Sequence, residues 1–198
     1  MPFREFVEAE LGTDILLVTC GLPGSLKTET SEEIARLKGY PIVRTDLIRR
    51  EVLKDEDIFD EKVASNMDKR MLVYEEAFRQ ADDLLEKGDS AIIDATFISQ
   101  SLRRQAAAIA NKYGKTLVIL KTHCPQKVAI ARILKRTKEN YESNALDEKA
   151  YLNNKKKFEE VDLDDLKTTY PNLNIVLLTV DTRKDPPEDW YITDVVKR

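Results

Sequence analysis

The chain has 198 residues, of which 42% are hydrophobic and 34% are charged. This composition fits one globular domain with a sizeable core and excludes a disordered chain. A net charge of −4 argues against a protein that binds nucleic acid over its whole surface, although it is compatible with a local basic cleft. The apolar runs are far shorter than the roughly 20 residues of a membrane span, and no apolar signal core follows Met1, so we expect a soluble, cytoplasmic protein.

Apolar runs alternate with amphipathic segments in the first half of the chain. The pattern predicts a strand over residues 15–19, a helix over 28–39 and a short strand over 40–45. From residue 63 to residue 85, apolar residues recur three and four positions apart. This spacing predicts one long helix that Gly88 ends.

The second half continues the same alternation. It predicts a strand over 91–93, a helix over 102–113, a strand over 116–122, helices over 125–136 and 146–160, a strand over 174–180 and a short terminal helix. Such alternation is typical of an α/β fold with a mostly parallel, five-stranded sheet and helices on both faces. Ligands of these folds bind beyond the carboxyl ends of the strands.

The two cysteines and the single histidine limit the chemistry. Cys20 and Cys124 are too few for a disulfide framework, and both follow strand-like runs, so we expect buried or half-buried free thiols. His123 has no partner for a histidine-rich metal site, and we expect it on the surface or in a loop.

A phosphate-binding loop is nearly complete between the first strand and the first long helix. The segment GLPGSLKT matches the pattern G-x-x-x-x-G-K-[ST] except at Leu26, where the pattern has glycine. Lys27 in the first turn of a helix opposes the helix dipole, whereas a bound polyphosphate would make that position favourable. We therefore predict a nucleotide site, with the Thr28 hydroxyl on Mg²⁺, formed by Gly21, Pro23, Gly24, Ser25, Leu26, Lys27 and Thr28.

Two carboxylates follow neighbouring predicted strands. Asp46 comes after the second strand and Asp94 after the third, so both are expected at the sheet edge that carries the loop. An aspartate that ends a strand is often only a cap or turn residue. The loop together with both carboxylates favours a site over two separate caps.

Four segments, in this order, resemble the P-loop kinases related to polynucleotide 5′-kinases, gluconate kinases and zeta-toxin-like phosphotransferases. They are GLPGSLKT, RTDLIRR, IIDATF and CPQKVAIARILKR, and the resemblance covers residues 15–180. It implies a three-layer P-loop kinase-like sandwich, one domain over residues 1–198, and a helical lid over about 132–160. It also implies ATP and Mg²⁺ as cofactors and phosphoryl transfer to a hydroxyl group. Leu26 departs from the family pattern.

The resemblance also implies roles for individual side chains. Asp46 matches the base that accepts the proton of the attacking hydroxyl, and Arg49 matches an arginine that orients the acceptor. Asp94 matches the acidic residue that holds the Mg²⁺ water shell or the acceptor. Arg132 and Arg136 match lid arginines, with Arg136 expected at the transferring phosphoryl group. Their spacing of four also puts them on one helical face, although a solvated helix end is the alternative interpretation.

Several functional alternatives stay open at this stage. A left-handed backbone at Leu26 would cost roughly 1–2 kcal/mol, or about tenfold to thirtyfold in affinity, so a pseudo-kinase or interaction module is one alternative. A nucleoside triphosphatase that uses water is another.

The basic cluster of Arg44, Arg49 and Arg50 around Asp46 favours a phosphorylated or polyanionic acceptor over water. A nucleic-acid 5′ end, a nucleoside, a sugar acid and a small antibiotic all fit, and we expect the polar residues 137–145 to be a hinged lid.

Overall fold

Six strands form one sheet, and the five predicted strands are its parallel part. The computed structural model describes residues 1–60, 62–63, 66–136 and 145–198. The strand order is β2-β3-β1-β4-β5-β6, and only β6 runs antiparallel to its neighbour. The strands are β1 Ile15–Cys20, β2 Ile42–Arg44, β3 Ala91–Asp94, β4 Thr116–His123, β5 Ile175–Asp181 and β6 Tyr191–Lys197.

Helices cover both faces of the sheet, which confirms the predicted α/β architecture. The first two helices pack on one face, and the long fourth helix packs on the other with the fifth and the eighth. Among the described residues, the helices are α1 Phe3–Ala9, α2 Lys27–Lys38, α3 Thr45–Val52, α4 Met67–Glu86, α5 Gln100–Lys112, α6 Gln126–Ile133, α7 Glu148–Lys157 and α8 Leu163–Thr169.

Strand β1 lies in the middle of the sheet and is buried along its whole length. Leu16 and Val18 belong to the core under α4 and α5, whereas Ile15 and Leu17 belong to the core under α1 and α2. A strand that is covered on both faces reads as a continuous apolar run, as here. The loop that follows β1 therefore starts from a rigid, fully packed base.

The predicted terminal helix is wrong, because residues 191–197 form the antiparallel edge strand β6. The register between β5 and β6 shifts at Thr179 and Val180. Such an irregularity breaks the strict alternation by which a strand is recognised in a sequence. Ile192 is buried, and Trp190 just before the strand packs against Phe3 of α1 with ring centroids 5.5 Å apart.

The predictions for the cysteines, the histidine and the end of the second strand can also be compared with the structure. Cys20 is a buried free thiol and Cys124 a half-buried one, as predicted. His123 is exposed at the end of β4. The predicted second strand ends earlier than expected, since α3 already begins at Thr45. Within the part of the chain that the structure describes, no helix is long and apolar enough to cross a membrane.

Candidate functional site

The loop between β1 and α2 depends on two glycines. Gly21 has φ +151°, and a Cβ added there would lie 2.6 Å from the carbonyl oxygen of Thr122. Gly24 has φ +79°, and a Cβ there would lie 2.5 Å from the carbonyl oxygen of Ala129. Any side chain at either position would therefore collide with neighbouring backbone, and both glycines are needed for this loop shape.

Leu26 occupies the left-handed conformation for which the phosphate-loop pattern has glycine. Its φ and ψ are 59° and 39°, and it is the N-cap residue of α2. A leucine in this region costs roughly 1–2 kcal/mol. Its side chain is only partly exposed and packs against the core under α1 and α2, which compensates part of that cost.

The N-terminus of α2 points unsatisfied hydrogen-bond donors at the loop. No side chain caps this helix end. The backbone N–H groups of Gly24, Leu26, Lys27 and Thr28 donate to no acceptor among the described residues. Four such donors together with the positive end of the helix dipole can bind an anion.

Lys27 bends back over the loop. Its Nζ donates to the carbonyl oxygen of Leu22 at 3.0 Å. Burial lowers the pKa of Lys27, and the nearby charge of Arg136 lowers it further, while the carboxylate of Asp94 opposes both. A cation that is partly desolvated at the mouth of a loop is stabilised by an anion in that loop.

Ser25 and Arg132 hold the loop from behind rather than facing the space that it encloses. Ser25 is buried, and its Oγ donates to Leu22 O at 2.7 Å and lies 2.7 Å from Thr122 Oγ1. Arg132 donates to Gly24 O at 3.0 Å and to Thr182 O at 2.7 Å, and it pairs with an exposed carboxylate. Both residues therefore fix the position of the loop, and neither lines the cleft in front of it.

Asp94 lies directly beside the start of α2. Thr28 Oγ1 donates to Asp94 Oδ2 at 2.6 Å, and Thr19 Oγ1 lies 3.2 Å from Asp94 Oδ1. Burial raises the pKa of Asp94 to about 6, and the charge of Asp46 raises it too, whereas the Thr28 hydrogen bond, Lys27 and Arg44 lower it. A cation bound beside Asp94 would stabilise the ionised form of this buried carboxylate.

The Thr28 and Asp94 pair fits a Mg²⁺ ion at a nucleotide. Both groups supply hard oxygen atoms, which Mg²⁺ prefers, and in such sites the ion usually keeps several waters and binds one or two protein side chains besides phosphate. Among the described residues, no group of three or more His, Cys, Asp or Glu side chains could hold a metal by itself. Phosphate oxygens and water would therefore have to complete such a site.

Asp46 and Arg49 form an ion pair in α3. Arg49 Nη1 lies 2.5 Å from Asp46 Oδ1, and the two side chains are 15% and 29% exposed. The second carboxylate oxygen of Asp46 accepts no hydrogen bond from the described residues. The pair therefore holds the carboxylate in one orientation with one oxygen left for another donor.

A cleft of about 370 Å³ brings most of the predicted site residues together. It lies at the carboxyl ends of β1, β2 and β3, where such folds bind ligands. Gly21, Ser25 and Arg132 are the predicted residues that do not line it. The predicted residues that do are Pro23, Gly24, Leu26, Lys27, Thr28, Asp46, Arg49, Asp94 and Arg136.

The cleft also contains residues that were not predicted. Arg70 and Tyr74 come from α4, and Lys149, Asn153 and Lys157 come from α7. The α7 set repeats every four residues, which is one face of a helix, so this face was readable in the sequence. The two α4 residues were not recognised in the sequence. Tyr74 belongs to the apolar stripe that predicted the helix, and Arg70 belongs to no motif.

Arg136 lines the cleft just after α6. Its Nη1 donates to the carbonyl oxygen of Ala145 at 3.2 Å. Residues 137–144, which make up most of the predicted hinged segment, lie outside the described residues, so the lid over about 132–160 stays a prediction. The described residues after the gap return to the cleft, since Leu146 and Ala150 line it too.

Comparison with known families agrees with this geometry. Residues 16–161 match the family model described as an AAA domain. The chain belongs to this family. The match begins inside β1 and extends past α7, so it includes the loop, both carboxylates and Arg136.

The curated relatives that match are themselves uncharacterized. Proteins of Mycobacterium bovis and of Mycobacterium tuberculosis are each 27% identical to this chain over 136 residues, which is 66% of this chain and 27% of theirs. The chain thus spans about a quarter of the length of these relatives.

Solved structures with the same fold include kinases and a protein in complex with a nucleotide. A gluconokinase from Sinorhizobium meliloti has a TM-score of 0.60 at 17% identity, over 88% of this chain and 85% of that one. A sugar kinase from Janibacter has a TM-score of 0.61 at 19% identity, over 89% of each chain. Kti12 of Chaetomium thermophilum in complex with ADP-AlF3 has a TM-score of 0.56 at 18% identity, over 83% of this chain and 88% of that one. The fold is that of the P-loop kinases, as the resemblance implied.

Proposed function

We propose that this protein is an ATP-dependent kinase that moves the γ-phosphoryl group of Mg-ATP to a hydroxyl group. The observation that carries the proposal is the start of α2, where four residues with unsatisfied backbone donors, Lys27 among them, line one cleft and no side chain caps the helix. Asp46 lines the same cleft, and we assign it as the base for an acceptor. The kinase folds of the structural neighbours support the same function.

The reaction needs little covalent work from the protein. The acceptor oxygen forms a bond to the γ-phosphorus while the bond from that phosphorus to the β–γ bridging oxygen breaks, and ADP leaves with the electron pair. Asp46 takes the proton of the acceptor hydroxyl, and its ion pair with Arg49 keeps the carboxylate oriented. Lys27 and Arg136 stabilise the charge on the phosphoryl oxygens.

Thr28 and Asp94 are the residues that would hold Mg²⁺. The ion, when bound, neutralises negative charge on the phosphate oxygens. Asp94 must be ionised for this role, and Lys27 and Arg44 stabilise its charged form. We also propose that Arg132 and Ser25 act through the position of the loop and that residues 132–160 form the lid.

A second candidate function follows from Leu26. A strained left-handed residue in the loop favours weakened nucleotide binding, as in a pseudo-kinase that binds nucleotide and transfers nothing. A side-chain cost of about tenfold to thirtyfold still leaves a micromolar site usable, so we place the kinase first.

Calorimetry with Mg-ATP tests the nucleotide site. We expect binding by the wild type and a loss of more than tenfold in affinity for Lys27→Ala, because one buried charge on the phosphates is removed. Lys38→Ala is the matched control, since it removes the same charge from the other end of the same helix. No binding by the wild type at millimolar Mg-ATP would disprove the kinase function. Transfer of labelled phosphate from ATP to a panel of hydroxyl compounds then separates a kinase from a pseudo-kinase.

A further inference from the structure

Residues 95–98, here called the β3 loop, follow β3 and lie against the start of the loop between β1 and α2, here called the phosphate loop. Thr19 Oγ1 donates to Ala95 O at 2.7 Å and accepts the Ala95 N–H at 2.9 Å. The N–H of Gly21, the first residue of the phosphate loop, donates to Thr96 O at 3.3 Å. The position of the phosphate loop therefore depends on the shape of the β3 loop.

Phe97 gives the β3 loop a strained backbone. Its φ is +42°, in the left-handed region that residues other than glycine rarely adopt. Such residues persist only where the surrounding structure holds them, and they concentrate at functional sites. Phe97 is fully buried, and its carbonyl oxygen lies 3.7 Å from the Sγ of Cys20, the residue before the phosphate loop. The strained residue therefore lies directly beside the base of the phosphate loop.

Tyr74 of α4 is the side chain that holds this backbone. Its Oη accepts the N–H of Phe97 at 3.0 Å. Its ring packs against the rings of Phe97 and Phe78, with centroid distances of 5.5 Å and 5.9 Å. Without the Tyr74 hydroxyl, the N–H of Phe97 would be a buried donor with no partner, which destabilises the conformation that buries it.

Packing in the core explains the ring of Tyr74 but not its hydroxyl. Tyr74 is only 3% exposed, and a phenylalanine would make the same ring contacts without a polar group to satisfy. Burial raises the pKa of Tyr74 to about 12, so the phenol is neutral at pH 7. The hydroxyl therefore makes an ordinary neutral hydrogen bond, and the backbone of Phe97 is what it serves.

On the basis of the nucleotide site proposed above, we propose that Tyr74 is a positioning residue for nucleotide binding. Its hydroxyl holds the left-handed backbone at Phe97, so that the β3 loop presents Thr96 O to the N–H of Gly21 and the phosphate loop keeps the shape that binds. When the backbone at Phe97 relaxes, only the remaining fraction of molecules binds nucleotide at full affinity. Tyr74 thus acts through the two loops and needs no contact with the nucleotide.

Tyr74→Phe is the test variant, because it removes one oxygen atom and leaves the ring. Tyr113→Phe is the matched control. It also removes a phenol oxygen with a hydrogen bond of 3.0 Å, in this case to Asp82, and its ring packs against the same core. Neither the β3 loop nor the phosphate loop contributes to that bond. Both variants and the wild type are compared by calorimetry with Mg-ADP and by amide hydrogen exchange of the empty protein.

We expect Tyr74→Phe to bind Mg-ADP about fivefold more weakly than the wild type, which is the size of one neutral hydrogen bond. Tyr113→Phe should bind it like the wild type. In the empty protein, Tyr74→Phe should also speed exchange of the amides of Gly21 and Phe97, while the amides of the central strands stay protected. The exchange result separates positioning from direct contact, because the loss of a ligand contact leaves the empty protein unchanged.

Three results would overturn the proposal and leave the nucleotide site intact. The first is equal Mg-ADP affinity of the wild type and Tyr74→Phe. The second is an equal loss of affinity in Tyr74→Phe and Tyr113→Phe, which would indicate general destabilisation. The third is weaker binding by Tyr74→Phe with unchanged exchange, which would indicate a direct contact. No binding of Mg-ADP by the wild type would instead reject the nucleotide site, and this proposal with it.

A pair of variants at Phe97 tests the strain itself. Phe97→Gly and Phe97→Ala both remove the ring, but glycine adopts the left-handed conformation without steric cost. Phe97→Gly should therefore bind Mg-ADP about threefold more tightly than Phe97→Ala, and adding Tyr74→Phe to it should weaken binding by less than fivefold. The reverse order of affinities would overturn the role of the strained backbone. Where loss of the ring prevents folding, the comparison of Tyr74→Phe with Tyr113→Phe decides.

Discussion

The proposed nucleotide half and the proposed acceptor half of the cleft are built in different ways. The first comes from one continuous segment, Gly21 to Thr28, which follows a buried central strand and offers mainly backbone donors. The second comes from α3, α4 and α7 and consists of side chains alone. Backbone geometry can be kept while side chains change. A common phosphate site and a variable acceptor site can therefore exist in one fold.

Replacing the proposed base should separate the two halves most clearly. Asp46→Asn removes proton acceptance but little of the phosphate site, so turnover should fall by about 10²- to 10⁴-fold. Affinity for Mg-ATP should stay nearly unchanged. Single-turnover kinetics with an acceptor from the transfer assay measure the first effect, and calorimetry measures the second. Asp55→Asn, an exposed site outside the cleft, is the control. Near-normal turnover would exclude Asp46 as the base.

Arg136 should connect the halves, because we propose that it contacts the phosphoryl group that passes between them. Arg136→Ala should lower turnover by about 10²-fold and change the Michaelis constant for ATP much less, if its contact strengthens in the transition state. Lys135→Ala removes the neighbouring charge outside the cleft and should behave like the wild type. Steady-state kinetics at varied ATP distinguish the outcomes, and an equal change in both constants would point to a role in ground-state binding.

Variants of Leu26 test whether the loop between β1 and α2 is as rigid as its hydrogen bonds indicate. Leu26→Gly removes the left-handed strain but also the packing of the side chain, so its free energy of unfolding should exceed that of Leu26→Ala by about 1 kcal/mol. It should also tighten Mg-ATP binding by up to about tenfold if the empty loop leaves this conformation part of the time. Leu26→Ala keeps the strain and removes the bulk of the side chain. Urea unfolding and calorimetry report the two effects, and an absence of both would contradict a left-handed residue 26.

Asp94 gives an effect of pH on stability that has a defined sign. Its folded pKa of about 6 is above the unfolded value, so the folded protein binds more protons in the window between the two. In metal-free buffer, the free energy of unfolding should therefore fall as pH rises from 5 to 7, by about 1 kcal/mol for this group. Asp94→Asn should lack that component. Urea unfolding with EDTA at both pH values checks it, and parallel changes in the two proteins would refute the shifted pKa.

Much of the nucleotide half was readable from the sequence, because its information is local. Eight consecutive residues and the strand before them specify the loop, and both carboxylates were found from their place after a strand. Gly24 needs its freedom because of the backbone of Ala129, a contact about a hundred residues away. The glycine was visible in the sequence, whereas this physical reason was visible only in the fold.

The sequence by itself determined the alternation of strands and helices, the loop and the place of Asp46 and Asp94 at the ends of their strands, since these depend on periodicity and on short spacings, whereas Arg136 was expected from the family resemblance. Tertiary structure decided the sixth strand, whose register shift hides its alternation. It also decided that Arg132 supports the loop from behind and that cations of α3, α4 and α7 share one cleft. The physical reason is that electrostatics and burial depend on distances across the fold, which no local pattern contains.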